Sequence, residues 1–263
     1  MAEASPDPQT DAELIAACRQ TLPNLDDRQV ERLIGFRDAM FETNQRVNLT
    51  AIRDRSEIGR RHVLESLRLV SALDRAIGLD RQPEVLDLGT GGGIPGLILA
   101  IARPDIPFVL LDATGKKLTA VSAMAQTLGV DNVTTLHSRA EDAAHDLAWR
   151  SRFTVVTARA VSSLSALLEL GLPFLKLQGT LILPKGPDIE KELRDAATAA
   201  TILGGNIATS ELLPHNGSHT ETTLVIVEKR RTTPSAYPRR SGLPSKQPLG
   251  SGTPAAKVPE AGH

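Results

Sequence analysis

The stretch that decides the fold is Glu84-Val85-Leu86-Asp87-Leu88-Gly89-Thr90-Gly91-Gly92-Gly93-Ile94-Pro95-Gly96. Its apolar first half predicts a buried strand. Its glycines predict a turn, because they tolerate positive φ angles and let a ligand approach the backbone closely. Pro95 suits the first turn of a following helix. A strand, a glycine turn and a helix in this order form the nucleotide-binding corner of an open α/β sheet.

Two classes of ligand fit this corner. The spacing Gly91-x-Gly93-x-x-Gly96 matches the dinucleotide fingerprint, and Asp87-Leu-Gly89-x-Gly91-x-Gly93 matches the acidic pattern of S-adenosylmethionine-dependent methyltransferases. Asp87 favours the second class, because a carboxylate would repel a pyrophosphate placed on the helix N-terminus. The same carboxylate suits the ammonium of a methionine moiety, directly or through water. An NAD-dependent oxidoreductase remains the alternative.

A second acidic residue ends the next predicted strand, Phe108-Val109-Leu110-Leu111-Asp112. Its distance from the glycine turn, about 20 residues, suits a carboxylate that accepts hydrogen bonds from ribose hydroxyls. The residues predicted to bind a cofactor on these two segments are Asp87, Gly89, Gly91, Gly93 and Asp112.

The composition limits the class of protein. The chain has 263 residues, 41% hydrophobic and 23% charged, which suits one α/β domain with attachments. No apolar run reaches membrane-spanning length, and the N-terminus lacks the features of a secretory signal. The single cysteine, Cys18, excludes a cysteine-based metal site and suits a reducing cytoplasm, so we expect a cytoplasmic protein without a metal. With a formal net charge of −1, a nucleic-acid partner requires a local basic patch.

The chain divides into four segments. We expect a disordered N-terminus (1–10), a helical layer (11–82), a core of alternating strands and helices (83–229) and a disordered Pro- and Arg-rich tail (230–263). The strands are predicted at Glu84–Leu88, Pro107–Asp112, Asn132–His137, Phe153–Ala158, Gly179–Leu183, Asn206–Leu213 and Thr222–Glu228. Two successive strands at the end favour a methyltransferase sheet, which inserts an antiparallel last strand, over a dinucleotide fold, which continues βαβ.

The helical layer is rich in arginine. Arg53, Arg55, Arg60 and Arg61 form either a solvated helix face or a surface that contacts phosphates. Lys185, at the end of the fifth strand, is expected nearer the ligand. His62 is more typical of a packed or capping histidine than of a catalyst.

Several short motifs together resemble one known family. They are Asn48-Leu-Thr, His62-x-x-Glu65-Ser-Leu, Asp87-Leu-Gly-Thr-Gly-Gly-Gly-Ile-Pro-Gly, Ser138-Arg-Ala-Glu, Arg159-Ala-x-x-Ser-Leu and Lys185-Gly. In combination they resemble the bacterial small-subunit ribosomal RNA methyltransferase G family, also called glucose-inhibited division protein B, over roughly residues 31–228. Glu65 departs from the aspartate that is typical of the family, although the carboxylate is retained.

The resemblance implies a Rossmann-like class I S-adenosylmethionine methyltransferase sheet with a terminal antiparallel strand. It implies methylation of N7 of a guanine, position 527, in 16S rRNA, within the 30S subunit or an assembly intermediate. By motif match, Gly89 and Ile94 would lie on the cofactor, Ala140 and Glu141 would meet its adenine, and Arg159 would lie beside it. Arg53, Arg55, Arg60, Arg61 and Lys185 would then bind RNA.

The residues agree with this chemistry by elimination. Methylation of a pyrimidine C5 needs a cysteine nucleophile, and Cys18 lies far ahead of the core. Exocyclic-amine methylases usually carry Asn/Asp-Pro-Pro-aromatic after the fourth strand, where this chain has Arg159-Ala-Val. Guanine N7 needs no general base, so Arg159 is expected to position reactants, or else to form an ion pair with Asp87 or Glu141. A small-molecule methyltransferase, favoured by the 3% aromatic content, and a non-catalytic RNA-binding module remain alternatives.

Overall fold

The computed structural model describes residues 11–159, 162–213 and 221–250, so the expected disordered N-terminus lies outside the described residues. The chain begins with a layer of helices. They are α1 (Asp11–Thr21), α2 (Asp27–Asn44), α3 (Arg55–Ile58), α4 (Glu65–Leu67) and α5 (Val70–Ile77), with a π-helical stretch (Gly59–Leu64) between α3 and α4.

The start of α2 is fixed by a reciprocal pair of hydrogen bonds. The side chain of Asp26 accepts from the backbone N–H of Gln29 at 2.7 Å, and the side chain of Gln29 accepts from the N–H of Asp26 at 2.9 Å. Such a capping box satisfies backbone donors that the first turn of a helix leaves unpaired. Gln29 also donates to the carbonyl of Ala102 at 2.9 Å, which ties this end of α2 to the core.

Within the described residues the core sheet has seven strands: β1 (Val85–Leu88), β2 (Phe108–Asp112), β3 (Val133–His137), β4 (Phe153–Thr157), β5 (Leu175–Lys185), β6 (Gly205–Leu212) and β7 (Thr223–Lys229). Their order in the sheet is β3-β2-β1-β4-β5-β7-β6. Strands β1 to β5 are parallel, and β7 is antiparallel to both β5 and β6. The predicted strands and the inserted antiparallel last strand are confirmed, except that β5 begins at Leu175 instead of Gly179.

Helices connect the strands on both faces of the sheet. They are α6 (Gly96–Ala102), α7 (Gly115–Thr127), α8 (Ala140–Ala143), α9 (Leu164–Gly171), α10 (Glu190–Leu203) and, after the sheet, α11 (Leu243–Lys246); a short 3₁₀ turn (Leu172–Phe174) precedes β5. Because the order reverses at β1, whose neighbours are β2 and β4, a crevice opens beyond the carboxyl ends of these strands. None of the helices in the described ranges is long and apolar enough to cross a membrane.

The two faces of the sheet belong to two hydrophobic clusters. Val85 packs with the N-terminal helical layer and α6, whereas Leu86 and Leu88 pack with α9 and α10 on the other face. This alternation follows from the two-residue period of a strand. Because the helical layer shares its core with one face of the sheet, it holds a fixed position beside the crevice.

The chain after β7 differs from the prediction of a disordered tail. Residues 230–250, which we call the C-terminal strap, run back across the core. Arg150 donates hydrogen bonds to the carbonyls of Thr233 and Tyr237, both at 3.0 Å, and His145 contacts the carbonyl of Pro238 at 2.8 Å. Composition did not show this, because the strap is held by polar side chains of the core and has no periodic apolar face of its own. The rest of the predicted tail, 251–263, lies outside the described residues.

The strongest anchor of the C-terminal strap is an ion pair. The guanidinium of Arg239 donates to both carboxylate oxygens of Glu169, at 2.9 and 2.7 Å, and the backbone N–H of Arg239 donates at 2.8 Å. Glu169 has no exposed surface, so this carboxylate depends on the strap for its charge partner.

We therefore expect Arg239→Leu to lower the free energy of unfolding by about 3–5 kcal/mol, because it leaves a buried carboxylate without its cation. Adding Glu169→Gln should recover much of this loss. Urea unfolding of the two variants and the parent is the measurement. An Arg239→Leu variant as stable as the parent would show that the strap does not contribute to the fold.

Candidate functional site

A cavity of about 670 Å³ opens at the carboxyl ends of β1, β2 and β4. Its volume lies in the usual range for a small-molecule site. The glycine turn forms its floor, the loops after β2 and β3 form one end, and the helical layer forms the other. Seven of the predicted site residues line it: Gly89, Gly91, Ile94, Asp112, Ala140, Glu141 and Arg159.

Backbone conformation and close packing both favour glycine in the turn. Gly91 has φ +56°, in the left-handed region that favours glycine. A Cβ on Gly92 would lie 2.7 Å from Cε of Met40 and 3.2 Å from Cβ of Leu49, so the helical layer packs directly on the turn. Gly93, predicted to bind the cofactor, does not line the cavity. Its N–H instead closes the turn on the carbonyl of Thr90 at 2.9 Å.

Asp87 lies behind the turn and does not line the cavity. One oxygen, Oδ2, accepts from the hydroxyl of Thr90 at 2.6 Å and from the backbone N–H of Gly96 at 2.9 Å. The structure therefore places Asp87 where it holds the turn to the start of α6, whereas the sequence predicted contact with the ligand, directly or through water. Burial raises the pKa of Asp87 to about 6, against the two hydrogen bonds, which lower it.

Asp112 occupies the position predicted for a ribose-binding carboxylate. Its two oxygens accept from the backbone N–H groups of Gly91 at 2.9 Å and Thr114 at 2.7 Å. These bonds fix the carboxylate on the cavity wall. Because a carboxylate offers about four acceptor sites, it keeps capacity for the hydroxyls of a ribose.

The loop after β3 supplies Ala140 and Glu141. Glu141 is buried, and its Oε1 accepts from the backbone N–H of Gly242 at 2.7 Å. Its Oε2 lies 3.9 Å from Nε of Arg139, which is too far for a hydrogen bond. An acceptor therefore remains at this end of the cavity.

Arg159 ends β4 at the opposite end of the cavity. Its ion-pair partner is neither Asp87 nor Glu141, as the alternative reading of the sequence had it, but Glu65, at 2.9 Å. Burial lowers the pKa of Arg159, and the charge of Glu65 opposes this effect. A second guanidinium nitrogen, Nη1, is buried without a hydrogen-bond partner among the described residues, so it can donate to a ligand.

The sequence analysis predicted no chemical role for the neighbours of Arg159. His62 and Thr50 line the same end of the cavity, with Nε2 of His62 2.9 Å from the hydroxyl of Thr50. Burial, followed by the charge of Arg159, lowers the pKa of His62 to about 3, so the imidazole is neutral at neutral pH. Both residues stand in motifs of the resemblance, but only the structure shows that they meet.

The side chain of Asn44 holds the loop that carries Thr50. It accepts from the N–H groups of Leu49 and Thr50 and donates to the carbonyls of Thr50 and Ile52. The position of Thr50 over the glycine turn is therefore fixed by α2.

The five predicted RNA-binding cations fall into two groups, according to whether an acidic side chain pairs with them. Arg55 contacts Asp38 at 2.8 Å and Asp11 at 3.2 Å, and the Nε of Arg60 donates to Glu57 at 2.9 Å. Lys185 pairs with Glu192 at 2.8 Å and donates to the carbonyl of Ser162 at 3.0 Å. Nearby acids therefore already pair with these three cations, which the sequence analysis did not predict.

Arg53 and Arg61 differ from the other three. Both are exposed, and no acid in the described part of the chain forms an ion pair with either. Arg53 donates to the carbonyl of Asn44 at 2.9 Å. Arg61 directly precedes His62, which lines the cavity, so Arg61 lies beside a residue of the cavity wall.

These features define a class of protein. The inserted antiparallel β7 excludes a continued βαβ dinucleotide fold. The cavity offers a glycine turn whose backbone a ligand can approach, a ribose-type carboxylate and a second acceptor at one end, which fits S-adenosylmethionine. The fold and the site are those of a class I S-adenosylmethionine-dependent methyltransferase.

Comparison with known proteins identifies the family. Residues 29–217 match the family described as rRNA small subunit methyltransferase G, and the chain belongs to this family. The ribosomal RNA small subunit methyltransferase G of Moorella thermoacetica is 40% identical over 236 residues, 90% of this chain and 97% of the relative. The protein of that name from Lactococcus lactis subsp. cremoris (strain MG1363) is 35% identical over 240 residues, 91% of this chain and 99% of the relative.

Solved structures of other methyltransferases are also similar to this chain. A 16S rRNA (adenine(1408)-N(1))-methyltransferase from Catenulisporales acidiphilia has a TM-score of 0.46 and 19% identity, covering 63% of this chain and 92% of that one. A putative sarcosine dimethylglycine methyltransferase from Galdieria sulphuraria has a TM-score of 0.49 and 13% identity, covering 67% of this chain and 88% of that one.

The raised pKa of Asp87 predicts a pH-dependent effect. Burial raises it from 3.8 to about 6, so the folded state disfavours the charged form. The resulting loss of stability is absent below about pH 4, grows up to about pH 6 and is complete above. Asp87→Asn removes the charge and keeps an oxygen acceptor. Its stability relative to the parent should therefore rise by about 2–3 kcal/mol between pH 4 and pH 7.5.

Urea unfolding of both proteins at the two pH values measures this difference. Only the difference between the proteins is informative, because many other carboxylates titrate in the same range. If the difference in the free energy of unfolding between the two proteins stays constant with pH, ionisation of Asp87 does not destabilise the folded protein.

Proposed function

We infer that this protein is an enzyme that transfers a methyl group from S-adenosylmethionine to N7 of a guanine in 16S ribosomal RNA. The observation that carries this inference is one cavity with a cofactor-type end, at the glycine turn and Asp112, and a second end formed by Thr50, His62 and Arg159. Membership of the rRNA small subunit methyltransferase G family supports the substrate class. A ribosomal substrate makes the cytoplasm the place of action and the 30S subunit, or an assembly intermediate, the particle recognised.

The predicted cofactor residues take distinct roles in this proposal. Gly89, Gly91 and Ile94 lie against the cofactor at the turn, and Asp112 accepts from the ribose hydroxyls. Ala140 and Glu141 meet the adenine. Asp87 does not contact the cofactor in this proposal. It accepts from the hydroxyl of Thr90 and the N–H of Gly96 and so holds the turn against the start of α6.

The residues at the other end position the guanine. S-adenosylmethionine supplies an electrophilic methyl group on a sulfonium. Guanine N7 carries an in-plane lone pair and no proton at neutral pH, so no general base is needed. Alignment of reactants can contribute about 7–11 kcal/mol to catalysis. The unpaired Nη1 of Arg159 donates either to O6 of the guanine or to the cofactor carboxylate, which leaves N7 free in both cases.

His62 suits a role as a neutral hydrogen-bonding group. With its pKa near 3 it carries no charge at neutral pH, so it does not repel the methylated base, which is a cation. Its bond to Thr50 fixes the ring, and its second ring nitrogen, Nδ1, is buried without a hydrogen-bond partner among the described residues. Thr50 and His62 therefore form the wall against which the base is oriented.

Methyl transfer to 30S particles tests the proposed function. Tritium from labelled S-adenosylmethionine should appear in 16S rRNA, and mapping should place the modified base at a single guanine N7. Asp112→Ala should weaken binding of S-adenosylmethionine by about 1–3 kcal/mol, the loss of a charged hydrogen-bond partner. Transfer to a small molecule but not to 30S particles would instead establish the alternative of a small-molecule methyltransferase.

We expect Arg61 to contribute to RNA binding, and Arg55 and Arg60, which pair with acids, not to contribute. We expect Arg61→Ala to weaken binding to 30S particles and to reduce the magnitude of the salt dependence by about one phosphate contact, without changing the affinity for S-adenosylmethionine. Arg28→Ala is the matched control, because Arg28 is also an exposed arginine of the helical layer. The next residue, Gln29, contacts Ala102 at the end of α6 far from the glycine turn.

Binding to 30S particles over a range of salt concentrations is the measurement. If Arg61→Ala binds with the same affinity and the same salt dependence as Arg28→Ala and the parent, Arg61 does not contribute to the RNA surface.

A further inference from the structure

The C-terminal strap reaches the cavity, although it lies beyond the residues that the family comparison matched. We propose that the strap is part of the S-adenosylmethionine site, with Gly242 and Ser245 closing the end of the cavity that receives the adenosine moiety. This proposal rests on the proposed function, in which S-adenosylmethionine occupies this cavity.

The strap is held firmly enough to form a wall. Its anchors are distributed along its length: Arg150 on the carbonyls of Thr233 and Tyr237, and the buried Glu169 on Arg239. Arg239 also donates to the carbonyl of Gln247 at 2.7 Å, which closes the segment between them into a loop. The conformation of residues 240–246 is therefore fixed from both ends.

This loop lies on the cavity. Gly242, Ser245 and Lys246 line it, together with Asp112 and Glu141 of the core. Gly242 has φ +81° and begins the short helix α11, whose Pro244 is buried. A positive φ is readily adopted only by glycine, so the turn that brings α11 to the cavity depends on this residue.

The contact with Glu141 connects the strap with the cofactor. The backbone N–H of Gly242 donates to Oε1 of Glu141 at 2.7 Å, and the hydroxyl of Ser241 donates to Asp142 at 3.3 Å. The bond from Gly242 fixes the carboxylate of Glu141 and leaves Oε2 as the acceptor for a donor such as an adenine amino group. The strap therefore both bounds the cavity and orients the group expected to recognise the adenine.

Relatives of this chain also extend into the strap. The match to the Lactococcus lactis protein spans 240 residues of this chain, and a match of that length within 263 residues must reach at least residue 240. The start of the strap is therefore present in a relative, although the family match ends at residue 217.

Binding of the ligand must change the stability of the docked strap if the strap contacts the ligand. If S-adenosylmethionine touches the strap, bound ligand favours the docked strap and the docked strap favours binding, by the same free energy. Hydrogen exchange of the intact protein, measured with and without S-adenosylmethionine, tests this without any substitution. We expect slower exchange in residues 240–247 when the ligand is bound. Unchanged exchange there, in a protein that binds the ligand, would overturn the proposal.

A pair of matched variants gives a second test. Ser245→Trp places a large side chain where the strap lines the cavity, whereas Ser235→Trp places it on an exposed part of the strap away from the cavity. Calorimetric titration with S-adenosylmethionine should show a dissociation constant about tenfold or more higher for Ser245→Trp, as overpacking of a close contact predicts. Ser235→Trp should stay within about twofold of the parent.

The outcomes separate this proposal from the proposed function. A parent protein that does not bind S-adenosylmethionine would overturn both. A parent that binds it, with Ser245→Trp equal to Ser235→Trp, would overturn only the role of the strap. Weaker binding by Ser245→Trp alone supports both.

Discussion

The carboxylate of Asp87 is the constraint on which the site depends. It is fully buried, and a single oxygen accepts from Thr90 in the turn and from the N–H of Gly96 at the start of α6. A Cβ on Gly96 would lie 2.6 Å from that oxygen, so the helix can approach only because residue 96 is glycine. The strand, the turn and the helix are thereby joined at one atom. Within this turn, the N–H of Gly91 donates to Asp112, and Gly92 packs against Met40 and Leu49 of the helical layer.

Much of this arrangement could be predicted from the sequence, because its signals are local. Apolar runs mark the strands, glycines mark the turn, and the acid at the end of β2 follows at a known distance. Asp87 shows the limit of this reasoning. Its residue type suggested contact with the ligand, but the alternation of β1 places it on the side of Val85, opposite Leu86 and Leu88, where α6 covers it. The face of the sheet to which its side chain points, and not only its place in the motif, therefore determines the role of Asp87.

What the sequence analysis missed depended on partners that are distant in the sequence. Arg55 was predicted to bind RNA, and the structure shows that Asp38 and Asp11 from other helices pair with it. The tail was predicted as disordered because it lacks apolar periodicity, yet Glu169 and Arg150 of the core hold it. In both cases the free energy comes from charged groups brought together by the fold, and the composition of a single segment carries no information about such pairs.

The electrostatics of the cavity agree with methyl transfer to a ring nitrogen. Transfer from a sulfonium to guanine N7 moves one positive charge over a short distance and neither creates nor removes charge. A site for this reaction needs alignment more than it needs a compensating ion. The end of the cavity that faces the base has this character, because Glu65 neutralises Arg159 and burial keeps His62 uncharged. The groups that remain unsatisfied there, on Arg159 and His62, are hydrogen-bonding groups that can orient a base. The exposed charge of Arg61 is not among the groups that line the cavity, so it can attract the phosphates of RNA without contacting the reacting centre.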